Sequence, residues 1–120
     1  GSPVSYTGMS WSGFRPSDDA CHYGYLIPAN LFAAAMLEHL EVMSRACSRD
    51  SLAERARGLA AEIRKGVQQF GIAHTEGFGD IYAYEVDGMG AQLLISLYHP
   101  DLVLNAGVAG SVLLWQFRNV

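Results

Sequence analysis

The chain has 120 residues, half of them apolar, which is enough for one domain with a core of its own. Twelve acidic residues against eight basic ones set a net charge of −4 and a pI near 5.4, with Lys65 the only lysine and the arginines scattered. No basic stripe exists to displace counterions, so a nucleic-acid partner is not expected, and no apolar run reaches the ~18 residues of a membrane span.

The sequence opens on Gly1-Ser2-Pro3 rather than on methionine, which reads as an appended pair or an internal cut, with the natural start elsewhere. Residues 1–27 are rich in Gly, Ser, Pro and aromatics and hold no helical or strand period. Within residues 11–30 an arginine, two adjacent carboxylates and four aromatic rings precede a periodic helix. That composition reads as an ordered, ligand-facing loop, because Trp11, Phe14, Tyr23 and Tyr25 need partners.

From Leu31 the pattern is helical: Phe32, Met36, Leu40, Met43 and Cys47 recur on one face, and Pro28 suits the first turn. Cys47 is therefore expected as a buried free thiol, and with Cys21 it forms neither a ligand spacing nor a disulfide framework. Ser51-Leu-Ala-Glu54 has the form of a capping box. Leu52, Ala56, Leu59, Ile63, Val67 and Phe70 then form a second helical stripe, and Gly71 suits a left-handed stop. A connection of about five residues predicts antiparallel neighbours. Gly58 and Gly66 each weaken the second helix by roughly 1 kcal/mol relative to Ala. Residues 81–86 alternate as a strand does, with a turn at Asp87-Gly88. Residues 93–98 and 112–117 are apolar and almost uncharged. Two stripes of this size cannot both be buried by one hairpin and a few loops. A piece of a larger helical array is expected.

Two acidic pairs stand out for chemistry: Asp18 with Asp19, and Glu85 with Asp87. Glycoside hydrolysis needs one protonated carboxyl and one carboxylate, and the planar fork of Arg15 suits a carboxylate or sugar hydroxyls. Aromatic rings stack on pyranose faces, a role open to Trp11, Phe14, Tyr23 and Tyr25. The plainer alternative is that Asp18 or Asp19 merely forms a turn or cap. His22, His39, His74 and His99 lack zinc-site spacing. Ser5, Ser10, Ser12 and Ser17 lack a nucleophile elbow, and Gly77, Gly79, Gly88 and Gly90 do not make a phosphate loop. No metal and no cofactor are expected.

The run Gly8-Met-Ser-Trp-Ser-Gly-Phe-Arg-Pro-Ser-Asp-Asp-Ala-Cys-His-Tyr-Gly-Tyr-Leu-Ile-Pro-Ala-Asn-Leu-Phe-Ala33 resembles glycoside hydrolase family 125. Ile81-Tyr-Ala-Tyr-Glu-Val-Asp-Gly-Met-Gly90 looks like a second signature of that family, in order and at about the right separation. The resemblance covers residues 8–90. It implies an all-α fold, an (α/α)6 barrel, and a metal-independent, inverting exo-α-mannosidase acting on terminal α-1,6-linked mannose. The general acid falls within Ser17-Asp18-Asp19, with both aspartates as candidates. Trp11, Arg15, Ser17 and Tyr23 then line the mannose pocket, and Glu85 and Asp87 shape it from another loop.

Beyond Gly90 the resemblance stops. The family continues with an Asn and a Met-Asp-Asp-Ala-Asn-Val-Pro-like segment, where this chain reads Ala91-Gln-Leu-Leu-Ile-Ser-Leu-Tyr-His-Pro100. The family's base, a glutamate in a His-Glu-Ser-type motif further on, has no counterpart. Twelve helices with their connections need roughly 200 residues before any active-site loops, so this length cannot close a barrel. The expectation is one partial catalytic domain over 1–120, with two antiparallel helices, active-site loops, a short β-like segment and a divergent tail at 91–120. Its function is that of a mannosidase fragment carrying the acid side of the site, and the isolated chain is expected to be inactive. The alternatives are a non-catalytic sugar-binding or interaction module and a plain structural hairpin. The last leaves residues 8–27 and 81–90 unexplained.

Overall fold

A computed structural model gives the fold of residues 2–77 and 79–94. The apolar segment at 112–117, most of that at 93–98, and His99 lie outside the described residues. In chain order the elements are β1 (Tyr25–Leu26), α1 (Ile27–Ala46), α2 (Asp50–Phe70), β2 (Ile72–Thr75), β3 (Gly79–Tyr82), β4 (Glu85–Val86) and β5 (Gln92–Leu93). The fold is thus two helices with short antiparallel strands, and the all-α expectation is corrected. Loops pressed onto helices must satisfy their buried N–H and C=O groups, and short strand pairs are the economical way to do so.

Helix α1 starts four residues before the periodic run, with Pro28 in its first turn and an extended Leu26 before it. It ends in a Schellman motif: Ser48 N–H donates to the Arg45 carbonyl at 3.0 Å and Arg49 N–H to the Ser44 carbonyl at 2.8 Å. Ser48 occupies the left-handed position usually given to Gly, with φ 55°. Helix α2 follows at once. Its capping residue is Arg49, without a side-chain cap bond, so the expected capping box at Ser51 does not form. Glu54 instead accepts from Arg45 and Arg57, both at 2.6 Å. Gly71 closes α2 in the right-handed region (φ −91°, ψ −1°) rather than the left-handed one. What that position requires is space, since a Cβ there would lie 2.7 Å from the Val67 carbonyl. Arg45 bonds to Glu54, and Arg64 to Glu38 at 2.9 Å. Partners that converge in this way define an antiparallel pair.

Helix α1 buries a different face from the one its large apolar residues suggest, whereas α2 buries Ala56, Ile63 and Val67 of its expected stripe. Ile27, Leu31, Ala34 and Ala35 of α1 are buried, as are Ala53, Ala56, Ala60, Ile63, Gly66 and Val67 of α2. Phe32, Met36, Leu40 and Met43 are 46%, 43%, 38% and 65% exposed, and Leu52 and Leu59 also face out. Periodicity defines an apolar face, but small side chains decide which face lets two backbones approach. Cys47 is exposed, not buried, because it lies past the helix end. The main core joins Tyr25, Ile27, Leu31, Ile63, Val67 and Val86, among others, beneath the strands.

The expected strand at 81–86 divides in two. Gly79–Tyr82 pairs with Ile72–Thr75, while Glu85–Val86 sits between Tyr25–Leu26 and Gln92–Leu93, with Leu26 opposite Glu85. Ala83 and Tyr84 carry the chain between sheets, bonding Gly71 and Ile27 at 2.8 and 2.9 Å. The turn at Asp87-Gly88 forms as expected, with Gly88 at φ 76°.

The two helical glycines are not equivalent. A Cβ on Gly58 meets nothing within 4 Å, whereas one on Gly66 would lie 2.3 Å from the Thr7 carbonyl. Gly58→Ala is expected to stabilise the chain by about 0.5–1 kcal/mol. Gly66→Ala is expected to destabilise it by about 1–3 kcal/mol. Denaturant melts followed by circular dichroism would check both.

Candidate active site

The first motif folds as a small hairpin. Cys21 N–H donates to the Gly13 carbonyl at 3.0 Å, Arg15 N–H to the Asp19 carbonyl at 2.8 Å, and Phe14 and Ala20 bridge between them. At the tip, Asp18 N–H donates to the Arg15 carbonyl at 3.0 Å and Asp18 sits at φ 69°. This is a three-residue loop: a turn with Pro16 at its favoured position, then a residue in the left-handed region. Asp tolerates that region better than most residues. The turn-forming alternative for this segment is therefore realised in the backbone, and the carboxyl groups remain for other work.

Both candidate acids are exposed. They are not equivalent. Asp19 accepts a hydrogen bond from the Ser17 hydroxyl at 2.9 Å, whereas the Asp18 carboxyl has no hydrogen-bond partner among the described residues. Trp11 lies at the base of the hairpin, 57% exposed, with Phe14 exposed nearby in the sequence. A Cβ on Gly24 would lie 2.3 Å from the indole Nε1, and one on Gly13 would lie 3.1 Å from Cη2. Those two glycines make room for the ring.

Behind the hairpin stands Glu85, fully buried on β4. Its Oε1 accepts from Arg15 Nε at 2.6 Å, and its Oε2 accepts from the backbone N–H groups of His22 and Tyr23 at 2.7 and 2.9 Å. The Arg15 guanidinium carbon also lies 5.5 Å from the centre of the Tyr84 ring, within cation–π range. The pair is sealed on both sides, at 8% and 0% side-chain exposure. Removing one partner of such a buried pair typically costs about 3–5 kcal/mol, because the other charge is left stranded. Asp87 is also buried, and its Oδ1 accepts from Met89 and Ala91 N–H at 2.7 and 3.0 Å. It shapes the β4–β5 turn.

Arg15, Tyr23 and Glu85 are thus brought together. Ser17, Asp18 and Asp19 share the hairpin tip, Trp11 stands at its base, and Asp87 lies in a separate turn. Asn30 was not singled out as a site residue in the sequence, yet it ties the loop to α1. Its Oδ1 accepts from Ser10 N–H at 2.7 Å, and its Nδ2 donates to the Ser10 and Leu26 carbonyls at 3.1 and 3.0 Å. A polar residue in the first turn of an apolar helix was the available signal, since a buried amide must find partners. Among the described residues, no group of three or more His, Cys, Asp or Glu side chains is placed to hold a metal ion.

The sequence profile of the family described as metal-independent alpha-mannosidase (GH125) matches residues 1–97. The chain belongs to GH125. It is 46% identical over 84 residues to the meiotically up-regulated gene 157 protein of Schizosaccharomyces pombe, covering 70% of this chain and 16% of that protein. A Streptococcus pneumoniae structure, from a family of metal-independent alpha mannosidases and in a non-productive complex with alpha-1,6-mannobiose, superposes with a TM-score of 0.74. The two are 38% identical, and the match covers 78% of this chain and 22% of the pneumococcal one. The GH125 chain described here therefore spans 16% and 22% of these two relatives. No helix among its described residues is long and apolar enough to cross a membrane.

The two thiols of this GH125 chain should react differently. Cys47 is exposed, whereas burial pushes the half-buried Cys21 thiol up to about 11, with the nearby Glu85 charge adding to the shift. The thiolate is the reactive form, so a raised value leaves Cys21 with less thiolate at neutral pH. A maleimide at pH 8 is expected to label Cys47 first. Labelling of Cys21 should accelerate only as pH climbs toward that value, as read by mass spectrometry of peptides.

Proposed function

We propose that this chain is part of an inverting exo-α-1,6-mannosidase and carries the general-acid side of its site, with Asp18 or Asp19 as the proton donor. The observation that carries this reading is family membership over residues 1–97, together with the likeness to a mannosidase solved with α-1,6-mannobiose. In this reading the substrate is a glycan ending in α-1,6-linked mannose, Trp11, Ser17 and Tyr23 line the pocket for the terminal sugar, and Arg15, sealed against Glu85, backs it. Residues 1–120 form a partial catalytic domain, with the family-like portion reaching residue 97 and the remainder divergent.

The outward stripe of Phe32, Met36, Leu40 and Met43, with Leu52 and Leu59, supports membership of an (α/α)6 barrel. A groove of about 440 Å³ lined chiefly by Leu37, Leu40, Leu52 and Leu59 lies along the hairpin. Apolar surface of this kind marks a contact with further protein. The same reasoning applies to the acids. A general acid for glycoside hydrolysis is kept protonated by an enclosed, apolar setting, and both aspartates are open to solvent. A second wall has to come from elsewhere in the barrel, as does the base, which inversion places ~6.5–9.5 Å across the scissile bond. The exposure of both acids also favours a second reading, a non-catalytic sugar-binding module. That reading expects mannose to raise the melting temperature of the isolated chain.

The isolated 120-residue chain is expected to release no mannose from an α-1,6-mannobioside. Release that disappears with Asp18→Asn or Asp19→Asn would overturn the missing-base reading. Put in place of the matching segment of the S. pombe relative, the chain should support hydrolysis. One of the two substitutions should then lower kcat by about 10²–10⁴-fold, the usual weight of general acid catalysis. If neither does, the acid assignment is wrong.

A further inference from the structure

We infer that Glu85 is a positioning residue: from beneath, its buried carboxylate clamps both arms of the hairpin that carries Ser17, Asp18 and Asp19, and it does not itself contact sugar. What is positioned rests on the mannosidase reading; the clamp itself does not. Glu85 is fully buried, and each of its oxygens already accepts at least one hydrogen bond. A ligand hydroxyl has no path to it. All three donors belong to the first motif, on opposite arms. Arg15 ends the outgoing arm, where its N–H is bonded to the Asp19 carbonyl, while His22 and Tyr23 follow the returning arm.

A hairpin held on one arm can pivot; held on both, it cannot. The holder is itself anchored, because Glu85 lies opposite Leu26 in β1, which runs directly into α1. The height and tilt of the acid-bearing tip are therefore referred to the helical core through one side chain. This accounts for why the two motifs occur together. The second serves the first.

The test uses the 120-residue chain in a Cys47→Ser background, with Glu85→Gln as an isosteric variant that cannot carry the charge. By NMR, the Arg15 Nε–Hε group and the His22 and Tyr23 amides should be protected in the unsubstituted chain. All three should exchange about tenfold faster or more in Glu85→Gln, with the Asp18 and Asp19 amides shifting while those of Ala34 and Ala56 hold. Cys21 should then react faster with maleimide, because the loosened hairpin shelters the thiol less and a neighbouring negative charge is gone while Arg15 remains. Glu85→Asp, which keeps the charge, should restore slow Cys21 labelling and decides the matter if Glu85→Gln fails to fold. Unchanged exchange at Arg15 in Glu85→Gln, or an unprotected Arg15 Nε–Hε in the unsubstituted chain, overturns the inference. No readout involves sugar, so failure here is distinct from failure of the mannosidase reading.

Discussion

A buried carboxylate surrounded by one guanidinium and two backbone amides is the constraint on which the site depends. Three bonds of 2.6, 2.7 and 2.9 Å gather residues 15, 22 and 23 onto a single strand. Charge-assisted bonds of this length are roughly twice as strong as neutral ones, and here they act out of water. Around them the arrangement follows: Tyr84 packs under the guanidinium, Asn30 staples Ser10 to α1, and Asp87 shapes the turn that brings β5 against β4. Each buried polar side chain is satisfied, with none left orphaned among the described residues.

The helical hairpin supplies the base for that site, and it does so through its small residues. Ala53, Ala56 and Ala60 on α2, with Ala34 and Ala35 on α1, are buried beside Ile27, Leu31, Ile63 and Val67, while Phe32, Met36, Leu40, Met43, Leu52 and Leu59 look outward. A hairpin optimised to stand alone would do the reverse, because Phe, Met and Leu return far more on burial than Ala does. The arrangement suits helices with neighbours on more than one side.

Much of this was legible in the sequence, and the misses have physical causes. The two helices, their antiparallel relation and the Asp87-Gly88 turn follow from periodicity and turn chemistry, and the two motifs led to the family. The buried face of α1 was misjudged because hydrophobic spacing ranks residues by size, whereas close helix approach selects for smallness; on α2, Ala56, Ile63 and Val67 of the expected stripe are buried. The capping box at Ser51 failed because Arg49 already starts the helix and Glu54 is drawn to Arg45 and Arg57. The strands were too short to announce themselves: pairs such as Tyr25–Leu26 arise from tertiary need rather than propensity. Glu85 was visible as an acid in a motif, but its burial depends on Arg15, seventy positions away. No local pattern encodes that.

The first stretch of chain has its partners far along the sequence. Ser5 bonds to Asp87, the Thr7 carbonyl presses on Gly66, and Tyr25 reaches back to the Ser5 carbonyl. Long-separation contacts carry the loop-closure entropy of everything between them. Lying ahead of all these partners in the chain, this segment is thus among the last to settle. During synthesis it has to wait for α2 and β4 to exist, with Thr7 and Tyr25, both buried in the finished fold, unsheltered meanwhile. Until the second motif emerges to receive it, such a segment stays open to chaperones and proteases.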